Sequence, residues 1–184
     1  IREGEICAQM LAEKCAGRQC NIVEILGTYN SPVTKGRSEG FHRVLEQNPN
    51  LKIVASEYGN FDRVTAQKAM EKILVESLDQ GIKIDGVFAH SDEDGLGALQ
   101  ALKVAGQPIG KEIAIVSING VQDVCKAIIA GEYLGTVKSN PRWGQIVLTL
   151  VQMMERGTKP FPMVVIPYRI ITAENVEESF PTSY

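Results

Sequence analysis

The stretch NIVEILGTYNSPVTKGRSEGFHRVL, from Asn21 to Leu45, decides the fold. Its first six residues form an apolar run that is typical of a buried β-strand, and the spacing after the loop predicts a helix over 32–47. A tight loop of Gly, Ser and Pro residues joins the two, and Arg37 lies one turn into the helix. A plain turn does not need that arginine, whereas a ligand site at the end of a strand does.

The same strand-to-helix alternation continues along the chain. Further strands are predicted over 51–58, 85–90, 113–118 and 133–138, and further helices over 1–15, 62–77, 93–105 and 121–130. Strands that are continuous apolar runs, separated by helices, indicate a parallel sheet that is covered on both faces. The sequence therefore predicts an α/β fold, a doubly wound parallel sheet with helices on both faces.

Length and charge limit the function classes. The 184 residues are enough for one sizeable domain or two small lobes, and the formal charge of −3, without clustered Lys and Arg, argues against a nucleic-acid partner. No apolar run approaches the roughly 20 residues of a membrane span. Because the chain opens with IREGEICAQML, inside a predicted helix and without Met, we expect an upstream portion.

The reactive side chains do not form a metal or catalytic motif. Cys7, Cys15, Cys20 and Cys125 show no CxxC pair, so no metal or cofactor is predicted. Cys7 and Cys15 lie two turns apart on one predicted helix, too far for a disulfide, and we expect buried or free thiols. A small α/β hydrolase is not favoured, because the G-x-S-x-G elbow is missing and the two histidines have no clear nucleophile. No catalytic residue is predicted.

The regular alternation ends after Pro141. A helix is predicted over 142–156, and the apolar run 161–171, which Pro167 interrupts, predicts two strand pieces joined by a crossing, before a polar tail. Each apolar side chain left in water forgoes about 1.5–3 kcal/mol, so the helix needs a partner. We expect elements of a different lobe here, and self-association through the helix from Trp143 to Met154. Its apolar face consists of Trp143, Ile146, Val147, Leu150, Val151 and Met154.

The loops that follow the predicted strands carry the candidate ligand contacts. In a doubly wound sheet these loops emerge together at the carboxyl edge of the strands, where ligands bind. They contain neutral donors and acceptors, one aromatic ring and one guanidinium, but no Gly-rich phosphate pattern. A polar, uncharged, hydroxyl-rich ligand fits this set best. Its members are Tyr29, Asn30, Ser31, Arg37, Phe61, His90, Ser91, Asp92, Asn119, Lys138 and Ser139.

Four segments taken together resemble a known family. GTYNSPVTKGRSEGF, YGNFDRVTAQKAMEKIL, VFAHSDEDGLGALQALKVAG and INGVQDVCKAIIAGEYLGTVKSNP occur in the order found in periplasmic sugar-binding proteins of ABC transporters, of the ribose- and galactofuranose-binding type. The resemblance runs through essentially the whole chain. It implies two doubly wound lobes that are joined by three crossings and close on a monosaccharide, a pentose or a hexose.

The resemblance also implies an organisation and a location. Residues 1–139 correspond to the carboxyl-side lobe, 140–167 to a helix and strand of an incomplete amino-side lobe, and 168–184 to a returning segment and tail. An ABC permease is the implied partner. The implied location is periplasmic or extracytoplasmic, with or without a lipid anchor, and the implied function is binding without catalysis.

Five ligand contacts follow from the resemblance, position by position. Arg37 occupies the arginine of the R-x-x-G-F motif, and Phe61 the aromatic of the FDR motif, which stacks on a sugar face. Three other positions differ from ribose-binding relatives, which argues against ribose itself. These are Ser91 in place of Asn, Asn119 in place of Asp, and Ser139 in place of Gln.

Other interpretations of these residues are open. Arg37 is also explained as a salt-bridged helix residue, Phe61 as core packing, and Ser91 or Asp92 as a helix N-cap. Asn119-Gly120 is also an ordinary turn, and His90 and Lys138 are expected to be rim or structural residues. For the whole chain, the alternative function is the sugar-effector domain of a lactose-repressor-like transcription regulator, which shares the fold and would require an upstream helix-turn-helix.

Overall fold

The fold alternates strands and helices as far as residue 138. A computed structural model describes all residues, 1–184. None of its helices combines the length and hydrophobicity needed to cross a membrane. The elements are α1 (Arg2–Cys15), β1 (Cys20–Leu26), α2 (Pro32–Leu45), β2 (Leu51–Tyr58), α3 (Arg63–Asp79), β3 (Gly86–Ala89), α4 (Asp92–Val104), β4 (Ala114–Asn119), α5 (Gln122–Ile129), β5 (Gly135–Lys138), α6 (Gly144–Glu155), β6 (Arg169–Thr172) and α7 (Val176–Ser179).

The six strands form one sheet in the order β2-β1-β3-β4-β5-β6. The first five are parallel, which confirms the predicted doubly wound sheet. β6 is antiparallel to β5, with Gly135 opposite Thr172 and Lys138 opposite Arg169. The direction reverses because the chain leaves the carboxyl edge after β5 and re-enters at that same edge.

Apolar side chains pack on both faces of the sheet. Consecutive residues of β1 point to opposite faces, so Ile22 and Val23 belong to two different clusters. On the face covered by α1 and α2, the rings of Phe41 and Phe88 stack with centroids 4.1 Å apart. On the other face, α3, α4 and α5 bury the second cluster, which includes Met70. The prediction of helices on both faces is confirmed.

The segment after Pro141 differs from the rest of the chain. α6 forms as predicted but has no buried residue, and the Trp143 side chain, part of the predicted apolar face, is 53% exposed. Residues 161–168 do not form the first of the two predicted strand pieces. A strand needs a neighbour to pair with its backbone N–H and C=O groups. Within the segment after Pro141, only β6 has such a neighbour, which is β5.

The cysteine prediction is wrong for one pair. Cys15 and Cys20 form a disulfide with their Cα atoms 6.3 Å apart, while Cys7 and Cys125 are buried free thiols. α1 ends at Cys15, and the left-handed backbone of Ala16 (φ 48°) and Gly17 (φ 79°) then reverses the chain. This tight turn brings the start of β1 back to the end of α1, within the range that a disulfide spans.

Candidate ligand-binding site

The five predicted contact residues lie at one edge of the sheet. Arg37 lies on α2 after β1, Phe61 in the loop after β2, and Ser91 in the loop after β3; Asn119 ends β4 and Ser139 follows β5. All five strands are parallel, so these positions share the carboxyl edge. The structure therefore places the five residues along one edge, and hydrogen bonds between neighbouring loops fix their positions.

Arg37 is buried and held at two of its nitrogens. Its Nε donates to Oε2 of Glu3 at 3.0 Å, and its Nη1 donates to the carbonyl oxygen of His90 at 2.6 Å. Nη2 makes no hydrogen bond within the chain and is not enclosed. The ion pair expected of a structural arginine is thus present, and it leaves part of the planar guanidinium available to a ligand acceptor.

The close packing of α1 on α2 gives Arg37 this partner. A Cβ on Gly4 would lie 2.0 Å from the carbonyl oxygen of Arg37, and a Cβ on Gly40 would lie 1.9 Å from that of Ile1. The two helices therefore touch through their backbones. This contact places Glu3, in the first turn of α1, beside the guanidinium.

Phe61 is held in a strained backbone conformation. Asn60 and Phe61 have φ values of 59° and 60°, and the Phe61 N–H donates to Oδ1 of Asp94 at 3.0 Å. The ring packs on Gly27, where a Cβ would lie 2.1 Å from ring atoms, so only glycine leaves room for it. Phe61 is half-buried at the sheet edge, so part of its side chain packs on Gly27 and part is open to solvent.

Ser91 caps α4 and is bound to Asp94. Its Oγ accepts from the Asp94 N–H at 3.1 Å and donates to Oδ2 of Asp94 at 2.8 Å. The N-cap predicted at Ser91 or Asp92 is thus Ser91. Burial raises the pKa of Asp94 to about 7, although the hydrogen bonds from Ser91 and Phe61 act in the opposite direction.

Asp92 connects three strand ends instead of capping the helix. Its Oδ2 accepts from the N–H groups of Gly120 and Val121, both at 2.7 Å. Its Oδ1 accepts from the hydroxyls of Ser117 and Thr136. Burial raises the pKa of Asp92, while these four donors favour the ionised form. The carboxylate ties the loop after β3 to the loop after β4, and so positions the residue before Gly120, which is Asn119.

Asn119 and Ser139 are adjacent on neighbouring strand ends. The Asn119 carbonyl accepts from the Ser139 N–H at 3.1 Å. The Tyr184 hydroxyl lies 3.2 Å from the carbonyl oxygens of both residues, so the tail also reaches this edge. Asn119 has φ 147°, which an L-residue rarely adopts. The turn at Asn119-Gly120 is therefore not an ordinary one.

Backbone strain is concentrated at this edge. Of the five non-glycine residues with positive φ, four lie in its loops and one, Ala16, caps α1. Each such residue costs about 1–3 kcal/mol, and such residues cluster where a ligand or a switch requires a fixed geometry. The pattern therefore supports the assignment of this edge as a ligand site. The four residues are Asn30, Asn60, Phe61 and Asn119.

Glu24, on β1, was not predicted as part of any network. It is only 2% exposed, and its carboxylate contacts Nε2 of His90 at 3.0 Å, Nε2 of His42 at 2.9 Å and the Ser38 hydroxyl at 2.8 Å. Burial raises the pKa of Glu24, but the hydrogen bonds from both histidines bring it down to about 2. The expectation of a structural His90 is confirmed.

The acidic contacts Glu3 and Asp94 were also missed. The S-x-x-D spacing of Ser91 and Asp94 is a helix-start signal that could have drawn attention to the pair. For Glu3, the sequence contains no signal, because its partner lies 34 positions away. No group of three or more His, Cys, Asp or Glu side chains in the structure has the arrangement of a metal site.

Comparisons with known proteins identify the family of the chain. The sequence profile of the periplasmic binding protein domain matches residues 2–159. The chain belongs to the periplasmic binding protein family. Its sequence is 35% identical, over 161 residues, to the galactofuranose-binding protein of Escherichia coli (strain K12), covering 87% of this chain and 50% of that protein. The chain thus spans about half the length of the curated relatives that it matches.

Solved structures show the same fold over almost all of the chain. A galactofuranose-binding protein superposes with a TM-score of 0.91 at 30% identity, over 98% of this chain and 61% of that one. The binding protein of an arabinose ABC transporter from Shewanella sp. ANA-3, solved with α- and β-L-arabinofuranose, gives a TM-score of 0.89 at 33% identity. It covers 98% of this chain and 59% of that one. Both are proteins of the sugar-binding type.

Proposed function

We propose that this chain provides the carboxyl-side lobe of a two-lobed solute-binding protein that delivers a neutral monosaccharide to an ABC permease. The observation that carries the proposal is the convergence of five strand ends at one edge, with strained loops and an arginine that keeps Nη2 unbound. Residues 1–139 form this lobe, residues 140–167 contribute to the amino-side lobe, and residues 168–184 return to the carboxyl-side lobe. The location is extracytoplasmic, as in the family to which the chain belongs.

The proposed contact residues recognise different parts of a sugar. Arg37 donates from its guanidinium to ring or hydroxyl oxygens, and Phe61 covers an apolar ring face. Ser91, Asn119 and Ser139 provide neutral donors and acceptors. No bond is made or broken: a sugar that touches both lobes shifts the population from open to closed.

The sugar is proposed to be bound in its five-membered ring form. Two of the similar proteins are described as galactofuranose-binding and as bound to arabinofuranose, while others are ribose-binding proteins, from whose pattern this chain differs at three of the five positions. Short side chains at Ser91 and Ser139 suit a ligand that projects an additional group toward this edge. No observation on the structure favours the alternative of a transcription-regulator domain.

Calorimetry against a sugar panel tests this function. The panel is D-galactose, L-arabinose, D-ribose and xylitol, each titrated into the two-lobed protein and into this chain alone. We expect about micromolar affinity of the two-lobed protein for at least one member, stronger than for ribose. This chain alone is expected to bind at least about 100-fold more weakly, because half of the contacts are missing. Failure of every panel member to bind the two-lobed protein would contradict the proposal.

The unpartnered face of α6 leads to a second expected result. Trp143, Val147 and Met154 are each more than half exposed, and in the two-lobed protein we propose that the amino-side lobe covers them. In this chain alone, two copies should cover the face by self-association. Light scattering after size-exclusion chromatography should give a mass above that of one chain.

A matched pair of variants checks that α6 is responsible. Val147→Lys should restore the mass of a single chain, because it places a charge in the apolar face. Val75→Lys, on the exposed surface of α3, should leave the association unchanged. A wild-type chain that elutes as a single copy would contradict this expectation.

A further inference from the structure

Asp94 is a fully buried acid to which the proposed function assigns no role. Its side chain is 0% exposed and bridges two loops of the site. Oδ1 accepts from the backbone N–H of Phe61 at 3.0 Å, and Oδ2 accepts from the hydroxyl of Ser91 at 2.8 Å. A Cβ on Gly59 would lie 2.3 Å from Oδ1, so the loop after β2 is pressed against this carboxylate. Asp94 thus binds two of the residues that are proposed to contact the sugar, Phe61 and Ser91.

The hydrogen bonds around Ser91 have a definite direction. The Ser91 Oγ accepts from the Asp94 N–H, and its single proton goes to Oδ2 of Asp94 while that acid is ionised. A hydroxyl has one proton and two lone pairs, so one lone pair remains and Ser91 offers the ligand only an acceptor. If Oδ2 takes a proton from solvent, it donates to that lone pair instead. The proton of Ser91 is then released, and Ser91 offers the ligand only a donor.

We infer that Asp94 is a positioning residue of the proposed sugar site, which fixes the backbone of Phe61 and decides whether Ser91 meets the ligand as acceptor or donor. The inference rests on the proposed function. It differs from a simple capping role, because capping requires only that Ser91 Oγ accept from the Asp94 N–H, and both protonation states keep that bond.

The surroundings of Asp94 set where this change occurs. Burial raises the pKa of Asp94 to about 7, above the ordinary value of 3.8, and Arg37 opposes the rise. Asp94 therefore binds a proton more strongly in the folded state than in the unfolded state. Its contribution to the free energy of unfolding falls as the pH rises from about 4 to about 7. The charged or titratable groups on the surrounding elements are Arg37 on α2, Arg63 on α3, His90 after β3, Asp92 and Glu93 on α4, and Tyr133 before β5.

Asp94→Asn reproduces the hydrogen bonds of the protonated acid at every pH. The Phe61 N–H can only donate, so Oδ1 of the asparagine must face it, and Nδ2 then donates to Ser91 Oγ as the protonated acid does. Sugar affinity of the wild-type two-lobed protein should change about fivefold between pH 6 and 8, the size of one net hydrogen bond. Asp94→Asn and Ser91→Ala should both remove this change. Asp79→Asn, at an exposed acid, should keep it.

A measurement without ligand tests the coupling to Phe61. In ¹⁵N–¹H spectra of this chain, the Phe61 amide signal should titrate with a midpoint near 7 in the wild type and should not titrate in Asp94→Asn. In Ser91→Ala it should still titrate but at a higher pH, because the hydroxyl that lowers the pKa of Asp94 is missing. An amide that does not respond in the wild type would overturn the inference.

The outcomes separate this inference from the proposed function. If panel sugars bind but the wild type and Asp94→Asn share one pH profile, the inference fails alone. If no panel sugar binds at any pH, the proposed function fails. The assignment of Ser91 as acceptor or donor toward the ligand then fails with it.

Discussion

Replacing Asp92 with alanine is expected to lower the free energy of unfolding by about 3–5 kcal/mol, because it leaves several buried donors without an acceptor. Asp92 is 0% exposed, and its four donors come from β4, β5 and the loop after β4. The hydroxyls of Ser117 and Thr136 can rotate to other acceptors. The N–H groups of Gly120, which is buried, and of Val121, which is part-buried, cannot rotate and would lose their acceptor. Equilibrium unfolding in urea, followed by circular dichroism, measures the loss.

Asparagine at the same position is the matched control. Its Oδ1 can accept from both backbone N–H groups, and its Nδ2 can donate to hydroxyls whose protons turn away. Asp92→Asn should therefore cost only about 1 kcal/mol, similar to one net hydrogen bond. Asp79→Ala, at an exposed acid, should change stability by less than about 0.5 kcal/mol. A stability of Asp92→Ala within about 1 kcal/mol of the wild type, the size of one net hydrogen bond, would show that the network does not hold the strand ends.

The sequence was sufficient to predict the parallel sheet because its signals are local. Continuous apolar strands such as Asn21–Leu26, the capped helix start at Ser91 or Asp92, and loops rich in Gly and Pro each report on a few neighbouring residues. The rule that parallel strands share their carboxyl edge then placed five residues together without knowledge of any contact. The roles of those residues came from the resemblance to a family and remain proposals.

The features that the sequence did not predict depend on distant neighbours. The Cys15–Cys20 disulfide requires the left-handed turn at Ala16 and Gly17. The strand piece missing from 161–168 depends on a partner strand that this chain does not supply. Buried acids such as Glu24 and Asp94 look like surface residues in a sequence, because their partners lie far along the chain or in another loop.

Arg37→Ala is expected to weaken sugar binding by the two-lobed protein at least about 100-fold. The guanidinium is held by Glu3 and by the His90 carbonyl, so it is already ordered before a ligand arrives. The unbound Nη2 has two N–H groups, and a hydrogen bond from a charged donor contributes about 1.5–3 kcal/mol, so two such bonds account for the expected factor. Titration calorimetry against the panel sugar that binds most tightly measures the change.

Two further variants assign the effect to the guanidinium itself. Arg37→Lys keeps the charge but loses the planar fork, and should still weaken binding about tenfold or more. Arg43→Ala, on the same helix, removes an exposed arginine that pairs with Glu5 and Glu39, and should leave affinity unchanged. If Arg37→Ala and Arg43→Ala bind the sugar equally well, Arg37 is only a structural ion pair between α1 and α2. The pairing with Glu3 would then explain its burial completely, and the site would have to be assigned to other residues of this edge.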